Sequence, residues 1–294
     1  MPSTKFETTP EHSWRFEALG TQWEIVSSRR IDNELRELIS DEIETFDSTY
    51  SRFRKDSLVH KMSQRTGEYD LPENARAIFD LYDELYALTD GRVTPLVGDT
   101  LASAGYDSDY SLKPVKAIRP VASYADIVRR KGSHIQLKEP VTIDIGAAGK
   151  GYLVDSIVDI MKNNGHTQFV VDGSGDMRSV GDRIETIGLE NPLDIEEVVG
   201  AVELTNKALC ASATNRRAWG DWHHIIDPAT ARPTEEIIAT WVVADTALVA
   251  DGLATALFFT SPQVLSTKYT YEYARMYADG GIEYSDYFAG RVFS

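Results

Sequence analysis

Three groups of residues have the types and the spacing to do chemistry. The first is the stretch 144–155, DIGAAGKGYLVD, which holds three glycines, two alanines and a lysine between an acidic residue at each end. Small residues let a backbone come close to an anion, a following helix would offer its N-terminus, and Lys150 adds a positive charge. The stretch is not a nucleotide-triphosphate loop of the G-x-x-x-x-G-K-S/T type. Gly151 stands where the magnesium-binding hydroxyl belongs, and Asp144 where the leading glycine belongs. The dinucleotide fingerprint fails as well, because GSGDMR at 173–178 carries Arg178 in place of the third glycine. The stretch is therefore either a phosphate cradle of another kind or a tight turn from strand to helix.

The second group is Asp251 and Thr255, four residues apart and so on one face of a helix. That helix is otherwise almost wholly apolar, from Ala247 to Phe259. A carboxylate there is costly unless it is paired, caps the helix or binds a hard cation such as Mg²⁺. The third group is WHHIIDPATARP. On a strand His223 and His224 face opposite ways, so they cannot share one metal, but either could act as a general base beside Asp227. VVDGSGDM, with Asp172 and Asp176, reads as a hairpin turn.

The elements that must position these groups are legible in the periodicity. WRFEALGTQWEIVSS alternates like a strand pair around Gly20. Asp32 can cap a helix carrying Leu35, Leu38, Ile39, Ile43 and Phe46, and a second helix carries Ala75, Ile78, Phe79, Tyr82, Leu85 and Tyr86 up to a stop at Gly91. Residues 92–125 look loop-rich, and such a length of irregular chain is more often functional than filler. HIQLKEPVTIDI reads as a hairpin, and the first group then leads into a helix bearing Leu153, Val154, Ile157, Ile160 and Met161. Short strands follow with hairpin spacing, then the apolar helix, a further helix and a closing hairpin. Consecutive strands with helices inserted between hairpins predict an α+β fold with mostly antiparallel sheets and flanking helices, not a doubly wound sheet. Residues 1–12 read as a loose segment and 13–294 as a single domain.

Composition removes several classes of function. The 294 residues are 42% hydrophobic and 10% aromatic, which suits an ordinary globular protein. A net charge of −16 argues against a nucleic-acid partner, since phosphate binding needs clustered Lys and Arg. The single cysteine, Cys210, excludes an internal disulfide and sits in a strand-like run as a small core residue. No apolar run is long enough to span a membrane, and MPSTKFETTPEHSWRF has no basic start and no apolar core of a signal peptide. The expectation is a cytoplasmic protein.

The order of the blocks is more telling than any one of them. ALGTQW, STYSRFRKDSLVHKMS, DGRVTPLVGDTL, TIDIGAAGKGYLVD, FVVDGSGDMRSVG, CASATNRRAW, HHIIDPATARP and VVADTALVADGLATALF follow one another here. Together they resemble the successive blocks of the ApbE family of FAD:protein FMN transferases. The resemblance runs from about Trp14 almost to the C-terminus. It implies an ApbE-like fold related to the tunnelling fold, FAD as substrate and Mg²⁺ at the FAD diphosphate. By that resemblance the metal ligands are Asp251, Thr255 and the carbonyl of Ala147. Flavin-binding residues are Leu19, Phe53, Ala104, Gly105, Tyr106, Asp144, Lys150 and Ile225, with Phe53 against the isoalloxazine ring. His224, then Asp144, is the candidate acceptor of a proton from a Ser or Thr hydroxyl on an acceptor protein, which becomes joined to FMN as AMP leaves.

This chain also departs from the family pattern. LASAGYDS stands where members often carry a WGFG-like segment, Leu248 where some carry a further acidic residue, and GSGD in the glycine-rich block. Family acceptors carry a motif resembling D-x-x-S/T-G-A-T, which does not occur in this chain, so it does not read as its own acceptor. Hydrolysis of FAD to FMN and AMP, flavin binding without catalysis, and redox use of bound FAD are the competing readings. The last lacks a nicotinamide fingerprint.

Overall fold

The computed structural model describes residues 12–293, and the segment 1–11 falls outside the described residues. Strands β1 (His12–Ala18) and β2 (Thr21–Ser27) form the first hairpin. Its two turn residues, Leu19 and Gly20, have φ of 50° and 71°, as a two-residue turn matched to strand twist requires. Asp32 caps α1 (Asn33–Tyr50) by accepting the Leu35 N–H at 2.9 Å. This helix buries Leu35, Ile39 and Phe46, while Leu38 falls on the flank of that stripe and is 46% exposed. Next come α2 (Leu58–Met62), β3 (Gly67–Asp70) and α3 (Ala75–Leu88). Gly91, at φ 82°, closes the last by donating to the Tyr86 carbonyl.

The stretch expected to be loop is partly helical. A 3₁₀ turn (Pro95–Val97), α4 (Gly98–Ser103) and α5 (Tyr124–Ile127) interrupt it. The hairpin expected over 134–145 is displaced. β4 (Val128–Lys131) pairs with β5 (His134–Leu137) around Gly132, and β5 also pairs with β3. Residues 138–145 form no strand, because their backbone donors are taken elsewhere. Thr142 N–H goes to Asp99 and Asp144 N–H to the Pro95 carbonyl, and Pro140 has no donor.

The second half supplies α6 (Gly149–Asn163), β6 (Phe169–Asp172), β7 (Asp176–Val180), β8 (Glu185–Asn191), β9 (Asp194–Leu204) and β10 (Ala208–Ala213). Four two-residue strands follow: β11 (Ala218–Trp219), β12 (Trp222–His223), β13 (Ile226–Asp227) and β14 (Arg232–Pro233). Then come β15 (Ile237–Ala244), α7 (Ala247–Ala256), α8 (Pro262–Leu265), β16 (Glu272–Tyr277), β17 (Ile282–Tyr284) and β18 (Gly290–Val292). The late helix expected from sequence is thus the four-residue α8.

One eight-stranded antiparallel sheet, in the order β1-β2-β6-β7-β10-β15-β16-β17, joins strands from both ends of the described chain. Alternation along its strands divides the core. Cys210, Val242 and Ala244 face the helices α1, α3, α6 and α7, whereas Leu209, Trp241 and Val243 face the small sheet β18-β9-β8. Burial on both faces explains why β15 reads as a continuous apolar run. Among the described residues no helix is long and apolar enough to cross a membrane.

Candidate active site

The glycines of the 144–155 stretch serve packing before they serve any ligand. The Gly151 N–H donates to Asp251 Oδ2 at 2.9 Å. A Cβ at Gly151 would stand 2.1 Å from the Ala247 carbonyl oxygen, so only glycine lets the start of α6 lie this close to α7. At the far end of the stretch Asp155 accepts the N–H groups of Ala247 and Leu248 at 3.0 and 2.9 Å, capping α7, and pairs with Arg178 at 2.6 Å. The stretch therefore clamps the start of the apolar helix from both sides and fixes where Asp251 and Thr255 point.

Asp144 is held just as firmly. Its Oδ2 accepts from Arg52 Nε at 2.6 Å and its Oδ1 from the Gly146 N–H at 2.7 Å. Burial alone would raise this carboxyl, but Arg52 outweighs burial and keeps it below the usual range. With both oxygens engaged, Asp144 orients Arg52 and is a poor acceptor for another proton. Arg52 in turn donates to the Tyr106 carbonyl at 2.7 Å and lies 4.1 Å from the centre of the Phe53 ring.

These residues form one wall of a cleft of about 710 Å³. Leu19, Phe53, Tyr106, Tyr110, Asp144, Lys150, Arg217 and Trp219 all reach it. Phe53 and Tyr110 are stacked with centroids 5.1 Å apart, and Tyr106 lies edge-on to both. Such a wall suits a flat conjugated ring. Trp219 is fixed by an Nε1–H bond to the Ala104 carbonyl at 2.8 Å.

A smaller chamber of about 90 Å³ shares Tyr106, Asp144, Gly146 and Arg217 with the cleft. Ala147, Thr255, Ser212, Tyr82, Arg92, His224 and Ile225 also line it. Tyr82 accepts the Ala147 N–H at 3.2 Å and so sets the turn into α6. The two histidines separate here, although only His223 lies on a strand and His224 falls in the bend that follows it. His223 is committed, with Nε2 donating to the Thr234 carbonyl at 2.8 Å and Nδ1 accepting from the Ile225 N–H at 3.2 Å. His224 Nδ1 is enclosed and meets no hydrogen-bond partner among the described residues. Burial, then the nearby Arg217, pushes His224 down to about 3, so the ring is neutral near pH 7.

Behind the chamber lies a buried charge cluster. Asp251 is 3% exposed and Asp176 1%. Lys150 Nζ lies 2.8 Å from Asp176 Oδ2 and donates to the Gly173 carbonyl at 3.1 Å. Asp176 Oδ1 has no hydrogen-bond partner among the described residues. Burial and the charge of Asp176 raise Asp251 well above the usual carboxyl range. Burial alone would lower Lys150, yet Asp176 and Asp251 together hold it above its usual value. Two buried carboxyl groups share one ammonium in this cluster, and the Arg217 charge acts on it as well. Ala147 and Thr255 line the chamber, and Asp251 lies one turn before Thr255 on α7, so carboxylate, hydroxyl and carbonyl oxygens of the kind a hard cation such as Mg²⁺ takes come from adjoining elements. No group of three or more His, Cys, Asp or Glu that could hold a metal exists among the described residues, so a cation here would rest on the Asp251 carboxylate with hydroxyl, carbonyl and water oxygens.

Sequence reading and structure differ at the rim. Of Ala104, Gly105 and Tyr106, only Tyr106 reaches the cleft. Ala104 is fully buried, and Gly105, at φ 104°, turns the chain behind the wall by accepting the Leu112 N–H at 2.8 Å. Asp176, read as a turn residue, is instead the buried partner of Lys150. Arg52, Tyr82, Tyr110, Arg217 and Trp219 carried no spacing signal, because they meet the site only through long-range folding.

Comparison with known proteins shows the family and the fold. The sequence profile of the ApbE family matches residues 19–271. The FAD:protein FMN transferase of Escherichia coli K12 is 25% identical over 271 residues, covering 83% of this chain and 77% of that protein. That of Salmonella typhimurium is 24% identical, with the same coverage. Among solved structures, the Thermotoga maritima ApbE protein superposes with a TM-score of 0.83 at 24% identity, covering 94% of this chain and 97% of that one. The flavin transferase ApbE of Vibrio cholerae gives 0.78 at 19% identity, covering 94% and 98%. These structures establish the fold.

Proposed function

The chain belongs to the ApbE family, and on that premise we propose that it transfers FMN from FAD to a Ser or Thr hydroxyl of an acceptor protein, with Mg²⁺ at the diphosphate and AMP as the leaving product. The observation that carries the reading is that the two cavities adjoin. A cleft with stacked aromatic rings, sized for a flavin, shares Tyr106, Asp144, Gly146 and Arg217 with a small chamber beside it. That chamber contains a neutral histidine with a free nitrogen.

In this reading the flavin ring lies against Phe53 and Tyr106, and the diphosphate reaches the chamber at the start of α6. Arg52 is spent on Asp144 and keeps that wall rigid, which positions the phosphorus without reorganisation. His224, which lines the chamber, takes the proton of the acceptor hydroxyl as its oxygen bonds to the FMN phosphorus. The bond from that phosphorus to the bridging oxygen breaks, and its electron pair leaves with AMP. Lys150, held by Asp176 and Gly173, presents positive charge at the cleft edge. A Mg²⁺ held by Asp251, Thr255 and the Ala147 carbonyl would offset charge on the diphosphate oxygens.

The test is incubation with FAD, Mg²⁺ and a candidate acceptor, followed by AMP quantification and in-gel flavin fluorescence. AMP with a covalently fluorescent acceptor supports transfer. AMP and FMN with no labelled acceptor would make the protein a FAD pyrophosphatase, and bound FAD without any AMP would make it a flavin-binding protein.

A further inference from the structure

Arg216 and Arg217 are adjacent, yet the fold uses them in opposite ways. Arg216 is exposed and pairs with Glu190 at 2.9 Å on the β8–β9 hairpin, where Asn215 Nδ2 also donates to the Pro192 carbonyl. Arg217 is half-buried and lines both the cleft and the chamber. Its guanidinium makes no hydrogen bond or ion pair with any described residue, and its nearest aromatic neighbour is Tyr106, 5.9 Å from the ring centre.

Carboxylates are close enough to feel its charge but are already satisfied or taken. Asp144 is bonded to Arg52 and Gly146, Asp251 accepts from Gly151, and Asp176 holds Lys150. The charge of Arg217 nonetheless acts on Asp144, Asp251, Lys150 and His224, in keeping with its place in the lining of both cavities. The backbone around it is pinned. The Arg217 carbonyl accepts the His224 N–H at 3.2 Å, and Trp219, two residues on, is tied to Ala104. A partly desolvated guanidinium with five donors and no acceptor is an anion site awaiting its anion.

We infer that Arg217 binds the diphosphate of the flavin substrate at the junction of the two cavities, and receives the negative charge that passes to the AMP phosphate when the bridging bond breaks. This rests on the flavin-transfer reading and adds to it the residue that distinguishes a diphosphate-bearing flavin from the bare ring system. Preorganised donors aimed at developing charge are worth most in a site that excludes water. The aromatic wall would recognise riboflavin and FAD alike. The guanidinium recognises only the phosphorylated forms.

The experiment titrates flavin fluorescence with FAD, FMN and riboflavin against the wild type, Arg217→Gln and Arg217→Lys, with thermal unfolding to show that each variant is folded. Arg217→Gln should weaken FAD about tenfold to a hundredfold, as expected for loss of a charge-assisted bond, and leave riboflavin within about twofold. Arg217→Lys should recover part of the FAD affinity, and raising salt should weaken FAD binding in the wild type more than in Arg217→Gln. Unchanged FAD affinity in Arg217→Gln, or equal losses for FAD and riboflavin, would overturn the assignment. A wild type that binds riboflavin and FAD equally would also overturn it while leaving flavin binding intact. A wild type that binds none of the three sinks the flavin reading itself.

Discussion

The N–H of Gly151 donates to Asp251 Oδ2 at 2.9 Å, and a Cβ on Gly151 would stand 2.7 Å from the Cβ of Asp251. The glycine-rich turn and the apolar helix are therefore one unit, joined where α6 begins on α7. In the proposed site neither half suffices alone: the turn would supply the Ala147 carbonyl and Lys150, the helix Asp251 and Thr255, and the glycine sets the spacing between the two elements.

Gly151→Ala tests that spacing. The added methyl meets the backbone oxygen of Ala247 and not a flexible side chain, so the helices must separate. The expected cost is about 2–3 kcal/mol, read as a lowered midpoint in chemical denaturation. Transfer should fall further than stability, since the metal and phosphate halves move apart. A variant with wild-type stability would show that the contact is not rigid.

Asp251→Asn separates folding from metal binding. Burial and Asp176 make the ionised Asp251 costly, so removing its charge should raise the melting temperature of the metal-free protein. Mg²⁺ should raise the melting temperature of the wild type by mass action, and chelation should reverse that gain. The variant should show no response to either and lose metal-dependent transfer. An equal Mg²⁺ response in both proteins would remove Asp251 from the ligand set.

His224 carries a prediction about pH. Burial, with Arg217 second, holds the folded imidazole at about 3, while in the unfolded chain it takes a proton near its ordinary value of about 6.5. Between those two values the unfolded state binds more protons, so the contribution of His224 makes stability fall as pH falls. His224→Gln should flatten the dependence of stability on pH across that window. It should also lower the transfer rate by about 10²–10⁴-fold with FAD affinity retained. His223→Gln, which breaks the bond to the Thr234 carbonyl, should instead cost stability first. A His224→Gln enzyme at full rate would hand the proton to another group.

Local signals were the readable part of this protein. The Asp32 cap, the stop at Gly91, the β1–β2 hairpin and the apolar helix α7 all follow from a few neighbouring residues, and so does the antiparallel α+β class. Residues 138–145 were misread because their donors are claimed by Asp99 and Pro95, some forty residues away. The same holds inside the site. Asp251 and Thr255 were visible as polar residues on an apolar face. Arg52 and Asp176 were not, since Arg52 finds Asp144 at a separation of 92 residues and a glycine-rich hairpin such as GSGD gives no sign that its aspartate turns inward.

Asp176 makes the final prediction. Its carboxyl group is 1% exposed, and among the described residues the 2.8 Å contact with Lys150 is its only side-chain pairing. Lys150→Met strands that group in a buried site beside Asp251, which should cost about 3–5 kcal/mol. Adding Asp176→Leu removes the stranded group and the charge that raises Asp251, so the double variant should be more stable than Lys150→Met alone. Denaturation midpoints for the four members of this cycle give the coupling directly. Additive costs would mean that the two residues stabilise the fold independently. A strong coupling identifies Asp176 as the residue that fixes Lys150 at the edge of the cleft, where the proposed function needs its charge held in place.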